Sequence, residues 1–375
     1  MAGIYIHIPF CSQACYYCDF YFRTSKELIK PVIDSMCKEL TIRKDYVNND
    51  TIETIYFGGG TPSILENNQL KQILDIIYKH YSVTHENIEI TLEANPNDIN
   101  TEKLKFYHSV GVNRLSVGIQ TFNDNLLKIL HRPHDSFQAH KCLRDISNSQ
   151  IDNFNIDIIY GIPNQTQNDV LSDIKTTLRY NPKDISAYSL TIEDNTVFGK
   201  WEKYNKFQPV NDDIIAKYFL FVDQLLTDNH FIHYEVSNFC LPNYISKHNS
   251  SYWDSKVYIG VGPSAHSYNL ISRQWNIANN IHYIESLSNN KIPATIEYLS
   301  NEEKLEEYLL THLRTNKGIA IYNEYQNLNN DKINEYIKFL LNNNLCTLVD
   351  DTLKVTSKGY LFVDEIVYQI FNKLK

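Results

Sequence analysis

Three cysteines within one short stretch, Cys11, Cys15 and Cys18, are the residues here whose types and spacing best fit chemistry. The pattern Cys-x3-Cys-x2-Cys lets three thiolates wrap three irons of one cubane 4Fe–4S cluster. Electron-transfer clusters of this kind take four cysteines. Phe20 stands two residues beyond Cys18, and the next cysteine, Cys37, falls inside a helical pattern. One iron is therefore expected to lack a cysteine ligand, and an open metal position is where a substrate or cofactor binds. The competing reading is a zinc ion with His7 as fourth ligand. Structural zinc sites arrive as two paired ligand sets, and the sequence has no second pair. Phe10, Tyr16, Tyr17 and Phe20 suit an apolar sheath around a reducing cluster.

The elements that must position these cysteines alternate in type. β-rich runs at residues 3–9, 54–58, 88–93, 114–119, 154–160 and 186–190 are separated by helical patterns. Leu28, Ile29, Val32, Ile33, Met36 and Leu40 mark the first helix, and Leu70, Ile73, Leu74 and Ile77 the second. Such alternation predicts parallel strands with crossover helices, and six units predict an α/β fold, a partial (β/α)6 barrel. The unusual residues fall at strand ends: Cys11, the run Gly58-Gly59-Gly60-Thr61-Pro62, Glu93, Gln120, Asp157 and Thr191. In a parallel barrel these share the C-terminal face, where active sites are built.

The alternation weakens after about residue 195, so a barrel is expected over 1–195 and an extension over 196–299. Within the extension, 234–239 reads as a strand leading into a loop, and Gly260-Val261-Gly262-Pro263-Ser264-Ala265-His266-Ser267 as a glycine-rich turn carrying His266. Residues 300–375 read as a separate unit. Helices through Leu305–Leu313 positions and Ile333–Leu341 positions, a hairpin at 345–355 and a final helix at 361–370 resemble a small winged-helix domain. No basic recognition stripe accompanies it, which favours a docking or lid role.

Composition narrows the function classes. The 375 residues are 43% hydrophobic and 21% charged, with a formal charge of −9 that argues against a nucleic-acid surface. No stretch is long and apolar enough to span a bilayer, and the N-terminus has no signal-peptide pattern. Three of the seven cysteines cluster and four are scattered, unlike a disulfide framework. A reduced cytoplasmic protein is expected.

The stretch Tyr5-Ile6-His7-Ile8-Pro9-Phe10-Cys11, with Cys15, Cys18 and Phe20, resembles the radical SAM superfamily, in particular the branch holding oxygen-independent coproporphyrinogen oxidases and the HemW heme chaperones. The resemblance implies that the amino and carboxylate groups of S-adenosylmethionine (SAM) chelate the open iron. It also implies a SAM pocket of Tyr5, Gly59, Gly60, Thr61, Glu93, Gln120, Arg132 and Asp157. Glycines there would let backbone approach the ligand. Glu93 suits ribose hydroxyls as an acceptor, and Asp157 within an apolar strand needs a partner.

Two departures separate the branches. The oxidases extend the motif to a fourth cysteine, where this chain has Phe20, and they carry an N-terminal extension ahead of the tyrosine, where this chain starts four residues before Tyr5. A positive signature agrees: His248-Asn249-Ser250-Ser251-Tyr252-Trp253 resembles the His-Asn-x-x-Tyr-Trp motif of the heme chaperones. Imidazole is a standard axial ligand for heme, and Tyr252 and Trp253 could stack on the macrocycle. The plainer reading is a capping Asn with two core aromatics. The resemblance thus implies a chaperone that delivers heme to hemoproteins such as respiratory enzymes. A homodimer is possible, nucleic acid is not a partner, and any membrane association is peripheral and through a partner. The alternative is radical decarboxylation of coproporphyrinogen III. No catalytic residue is assigned.

Overall fold

The computed structural model describes residues 2–48, 50–84, 86–321 and 331–374. Strand β1 (Ala2–Ile8) buries Ile4, Ile6 and Ile8 completely. Their partner is α1 (Ile29–Ile42), whose Val32, Ile33, Met36 and Leu40 repeat at helical spacing in the same core. The pattern continues through β2 (Ile52–Gly59), α2 (Asn67–His80), β3 (Glu89–Ala94), α3 (Thr101–Ser109), β4 (Arg114–Gln120), α4 (Asp124–Ile129), α5 (Ser136–Ser147), β5 (Asn153–Tyr160), α6 (Gln167–Leu178) and β6 (Asp184–Ser189). Strands β1 to β6 lie side by side in chain order and all pair in parallel. This is the partial α/β barrel expected from the alternation.

The chain then adds α7 (Val197–Lys203), α8 (Asp212–Asp228), β7 (Ile232–Glu235), β8 (Asn238–Cys240), α9 (Lys247–Trp253), β9 (Val257–Val261), β10 (His266–Tyr268), β11 (Ser272–Asn276), α10 (Asn280–Ser288) and β12 (Ala294–Tyr298). Two expectations change here. The stretch 234–239 is not a strand and loop but part of an antiparallel hairpin, β7 to β8, that extends the sheet beyond β6. Gly260 and Val261 are not turn residues: they end β9, which pairs in parallel with β1 on its other side. Gly260 is required because a Cβ there would lie 1.9 Å from the His266 carbonyl oxygen. The turn begins at Gly262, whose φ of +108° suits glycine.

The remaining elements are α11 (Asn301–His312), β13 (Ile319–Ala320), α12 (Asp331–Asn342), β14 (Cys346–Val349), β15 (Thr352–Val355), α13 (Ser357–Tyr360) and α14 (Val363–Leu374). A small antiparallel sheet, β13-β15-β14, carries the expected hairpin. Among the described residues no helix is long and apolar enough to cross a membrane.

Opposite the apolar strand faces lies a polar series with a period of two, as a strand dictates. Thr54 and Tyr56, Thr91 and Glu93, Ser116 and Gly118, Asn155 and Asp157, and Ser186 and Tyr188 occupy successive alternate positions on adjacent strands. Deeper in the same interior, Arg114 donates to Asp184 at 2.6 Å, with side-chain exposures of 1% and 0%.

Candidate cluster and cofactor site

The loop bearing the cysteines leaves β1 and is pinned by backbone bonds from both sides. Cys11 N–H donates to the Arg23 carbonyl, and Tyr16 N–H to the Leu130 carbonyl. Tyr16 stacks on His131 at 4.3 Å between ring centres and meets Trp201 edge-on at 4.9 Å. The expected aromatic sheath is therefore divided. Phe10 is core and Tyr16 anchors the loop to α7, whereas Tyr17 and Phe20 line the cavity that the cysteines share.

That cavity measures about 570 Å³ and opens at the C-terminal ends of the strands. Cys11, Cys15, Cys18, Gly59, Gly60, Thr61, Glu93, Gln120, Arg132 and Asp157 all line it. Its volume falls within the range of small-ligand sites. Thr191 lies on the same wall. Tyr5 sits one layer below, its hydroxyl 3.2 Å from His7 Nδ1.

Donors point at two of the sulfurs. Thr61 Oγ1 donates to Cys11 Sγ at 3.3 Å, and an Arg132 guanidinium nitrogen donates to Cys15 Sγ at 3.4 Å. Asn95 joins the two: its Nδ2 donates to Thr61 Oγ1 at 3.1 Å and its Oδ1 accepts from Arg132 at 2.6 Å. Burial pushes the Cys11 thiol up to about 12 and that of Cys18 to about 11. Forming thiolates here needs a compensating positive charge, which a metal centre supplies.

The donor set fits a cluster better than a single ion. A cubane gives each thiolate its own iron. His7 is not a fourth ligand in this arrangement, because its Nε2 lies 2.9 Å from the Tyr21 carbonyl and its Nδ1 faces Tyr5.

The glycine run works differently from the expectation of a free backbone cradle. A Cβ on Gly59 (φ +101°) would lie 2.6 Å from the His7 ring, and one on Gly60 2.7 Å from the carbonyl oxygens of Ile8 and Phe10. The N–H groups of Gly60 and Thr61 donate to those same two carbonyls at 2.8 Å. The glycines thus let β2 close onto the start of the cysteine loop, and these two N–H groups are already satisfied.

Glu93 accepts from Tyr56 Oη at 2.8 Å. Desolvation lifts its carboxyl to about 7, with Asp157 adding repulsion and the Tyr56 bond opposing the rise. Asp157 has the partners its strand position demands: Asn155 Nδ2 donates at 2.6 Å and Ser116 Oγ at 3.3 Å. Burial raises its carboxyl too. Gln120 adopts φ +69° at an irregularity in the β4–β5 pairing, which turns the strand end over the cavity.

His248 lies elsewhere. It opens α9 on the N-terminal side of the barrel strands, with 1% exposure. Its Nδ1 is 2.7 Å from Thr54 Oγ1 and its Nε2 2.9 Å from Tyr252 Oη. Glu89 accepts from its backbone N–H at 2.9 Å. Burial lowers its imidazole to about 3, so the ring is neutral at pH 7. Both ring nitrogens are engaged in this conformation, and the cap of α9 is Ser246, whose hydroxyl accepts from the Asn249 N–H, so Asn249 is not the capping residue of the plainer reading. Trp253 is half-buried, and His266 is exposed on β10, stacked on Trp275 at 6.2 Å. Neither lines the cysteine cavity.

Residue-by-residue reading missed Asn95, Tyr56, Ser116 and Tyr188. The signal for most of them was present: polar residues alternating along otherwise apolar strands mark a second face that is not lipid-like core.

A radical SAM superfamily model matches residues 5–176. The chain is 34% identical to the heme chaperone HemW of Buchnera aphidicola subsp. Acyrthosiphon pisum, over 99% of this chain and 98% of that protein. It is also 34% identical to the heme chaperone HemW of Lactococcus lactis subsp. lactis, over 98% and 96%. The solved structure of the Escherichia coli coproporphyrinogen III oxidase HemN, a radical SAM enzyme, superposes with a TM-score of 0.82 at 20% identity. That match covers 99% of this chain and 90% of the other, and establishes a common fold.

Proposed function

We propose, from the premise that this chain belongs to the HemW family of radical SAM proteins, that it binds heme and passes it to hemoproteins such as respiratory enzymes. The family implies a 4Fe–4S cluster and SAM. In this reading Cys11, Cys15 and Cys18 hold three irons, and SAM occupies the fourth. The observation that carries the cofactor half is the convergence of three thiols, Thr61, Arg132 and Glu93 on one cavity. When bound, the cluster supplies an electron and SAM a cleavable sulfonium. Around them, Arg132 offsets negative charge near Cys15, Glu93 accepts from ribose, Gln120 and Asp157 shape the pocket, and Tyr5 backs it from one layer below.

The heme half rests on the relatives and on the motif of α9. His248, Tyr252 and Trp253 would form the heme seat once α9 lifts from the barrel. In the seated helix the His248 Nε2 faces the Tyr252 hydroxyl, the contact that the iron would replace. Phe20, 68% exposed at the cavity lip where the oxidase pattern has a cysteine, favours transport over decarboxylation. The same reading assigns the barrel to 1–195, the extension to 196–299 and a docking unit to 300–375, and places the protein in the cytoplasm, where its free cysteines stay reduced.

The test is anaerobic reconstitution followed by parallel assays of heme binding and coproporphyrinogen III decarboxylation. Heme bound at about one per chain without decarboxylation is expected. Robust decarboxylation without stable heme binding would move the assignment to the oxidase.

A further inference from the structure

The two sites of this reading are joined by one side chain. Tyr56 projects from the middle of β2 into the barrel and is nearly buried. Upward, its hydroxyl donates to Glu93 Oε1 at 2.8 Å on the cavity side. Downward, its ring is stacked on His248 at 4.9 Å between centres and 23° between planes. Tyr5 flanks both rings, at 6.0 Å from Tyr56 and 6.4 Å from His248. His248 is fixed in that stack by Thr54 and Tyr252.

We infer that Tyr56 is a positioning residue that couples the SAM pocket to the His248 segment, so that SAM and heme binding oppose one another. The inference rests on the reading given above. While α9 is seated, His248 backs the Tyr56 ring, and Tyr56 holds Glu93 toward the ribose position. If His248 swings out to take heme iron, the ring loses its backing and Glu93 loses a fixed donor. SAM then favours the seated state and heme the lifted one. Two ligands that prefer different states of one element must weaken each other by the same factor. No wire of many residues is needed, since a single ring touches both groups.

A role in mere stability would not move the ionisation of Glu93, whereas this role does. The groups facing that carboxyl are Tyr5 from β1, Tyr56 and the Gly59 N–H from β2, Arg114 from β4, Asp157 from β5, Tyr188 from β6 and Tyr252 from α9. Of the side chains, Tyr56 is the one whose hydroxyl donates to the carboxyl, and that bond favours the ionised form.

The experiment uses full-length protein with its cluster reconstituted. SAM is titrated with and without one equivalent of hemin, and hemin with and without SAM, following the reduced-cluster EPR signal and the Soret band. Mutual weakening by a common factor of about 5 to 50 is expected, within the usual span of coupling energies. Tyr56→Phe should keep the iron content, weaken SAM about tenfold and move the pH midpoint of SAM binding upward. His248→Gln, which keeps polar atoms for Thr54 and Tyr252 but lacks the ring, should weaken SAM without touching its cavity. Heme bound at one per chain with SAM affinity unchanged would overturn the inference and leave the chaperone reading standing. No heme binding at all would overturn the chaperone reading. In that case an unmoved pH midpoint in Tyr56→Phe and wild-type SAM affinity in His248→Gln would sink the inference as well.

Discussion

Arg132 donates to Cys15 Sγ at 3.4 Å from a loop 117 residues away, while its other terminal nitrogen is held by Asn95 and the Gly118 carbonyl. The guanidinium is thereby held beside the cysteine loop. If the cysteines hold the proposed cluster, Arg132→Met takes one positive charge from its edge. The reduction potential should fall by roughly 50–100 mV, from a unit charge at an effective dielectric of about 20. A redox titration followed by EPR measures it, and an unchanged potential would mean that Arg132 only ties the loop.

The cysteines divide by position. Cys11→Ala, Cys15→Ala or Cys18→Ala should each abolish the brown chromophore, and wild type should reach about four irons per chain. Cys37 in α1, Cys142 in α5, Cys240 in β8 and Cys346 in β14 are buried and away from the cavity. Their replacement by alanine should leave the iron content intact. Zinc uptake by the wild type in place of iron would refute the assignment.

If Glu93 faces the SAM ribose as proposed, SAM binding should depend on pH. Its carboxyl is neutral below about 7 and ionised above it. The ionised form is the stronger acceptor for ribose hydroxyls. SAM affinity should therefore rise as pH goes from 6 to 8. Glu93→Gln should flatten that profile and weaken SAM about tenfold or more, the worth of a hydrogen bond to a charged group. Equilibrium titration across that pH range decides the matter.

The strand–helix alternation made the barrel legible because each strand buries one apolar face against an amphipathic helix, as Ile4 and Ile6 do against Met36 and Leu40. Ten of the eleven residues expected at the cluster and SAM lie on one cavity, since strand ends of a parallel barrel share a rim. Other features were not legible. Strand β9 arrives from residue 257 to pair with β1, a contact that local pattern does not encode. The site of α9 is equally non-local: Glu89, Thr54 and Tyr56 meet His248 from 159 to 194 residues away in sequence. That the N–H groups of Gly60 and Thr61 are taken by the start of the cysteine loop was not legible either, because glycine spacing does not reveal whose backbone comes close.

The Arg114–Asp184 pair should be costly to break. Both groups are out of solvent, and Asp184 also receives Tyr234 Oη at 3.4 Å. Asp184→Ala strands a buried guanidinium and should cost about 3–5 kcal/mol in chemical denaturation. The double change Arg114→Met with Asp184→Leu should recover most of that loss, because it removes the uncompensated charge. Equal instability of the single and double variants would show that the pair is not what makes the single change harmful.

His248 predicts how stability responds to acid. Burial first, and the charge of Arg114 second, hold its imidazole at about 3 in the folded chain, against about 6.5 when unfolded. The folded pKa is depressed, so between 6.5 and 3 the unfolded chain binds a proton that the folded chain refuses. The neutral ring thus destabilises the fold progressively as pH falls below 6.5. From pH 7.5 to pH 5 this amounts to about 2 kcal/mol, by roughly 1.4 kcal/mol per unit of pH once titration is well under way. His248→Gln cannot titrate and should escape that loss. Other buried groups, such as Asp184 and His134, respond to pH as well, but they are common to both proteins and cancel in the difference. Denaturant unfolding of wild type and His248→Gln at the two pH values therefore isolates the one imidazole. A stability gap between the two proteins that stays constant with pH would mean the ring is reached by solvent in the native state, with α9 lifted for much of the time.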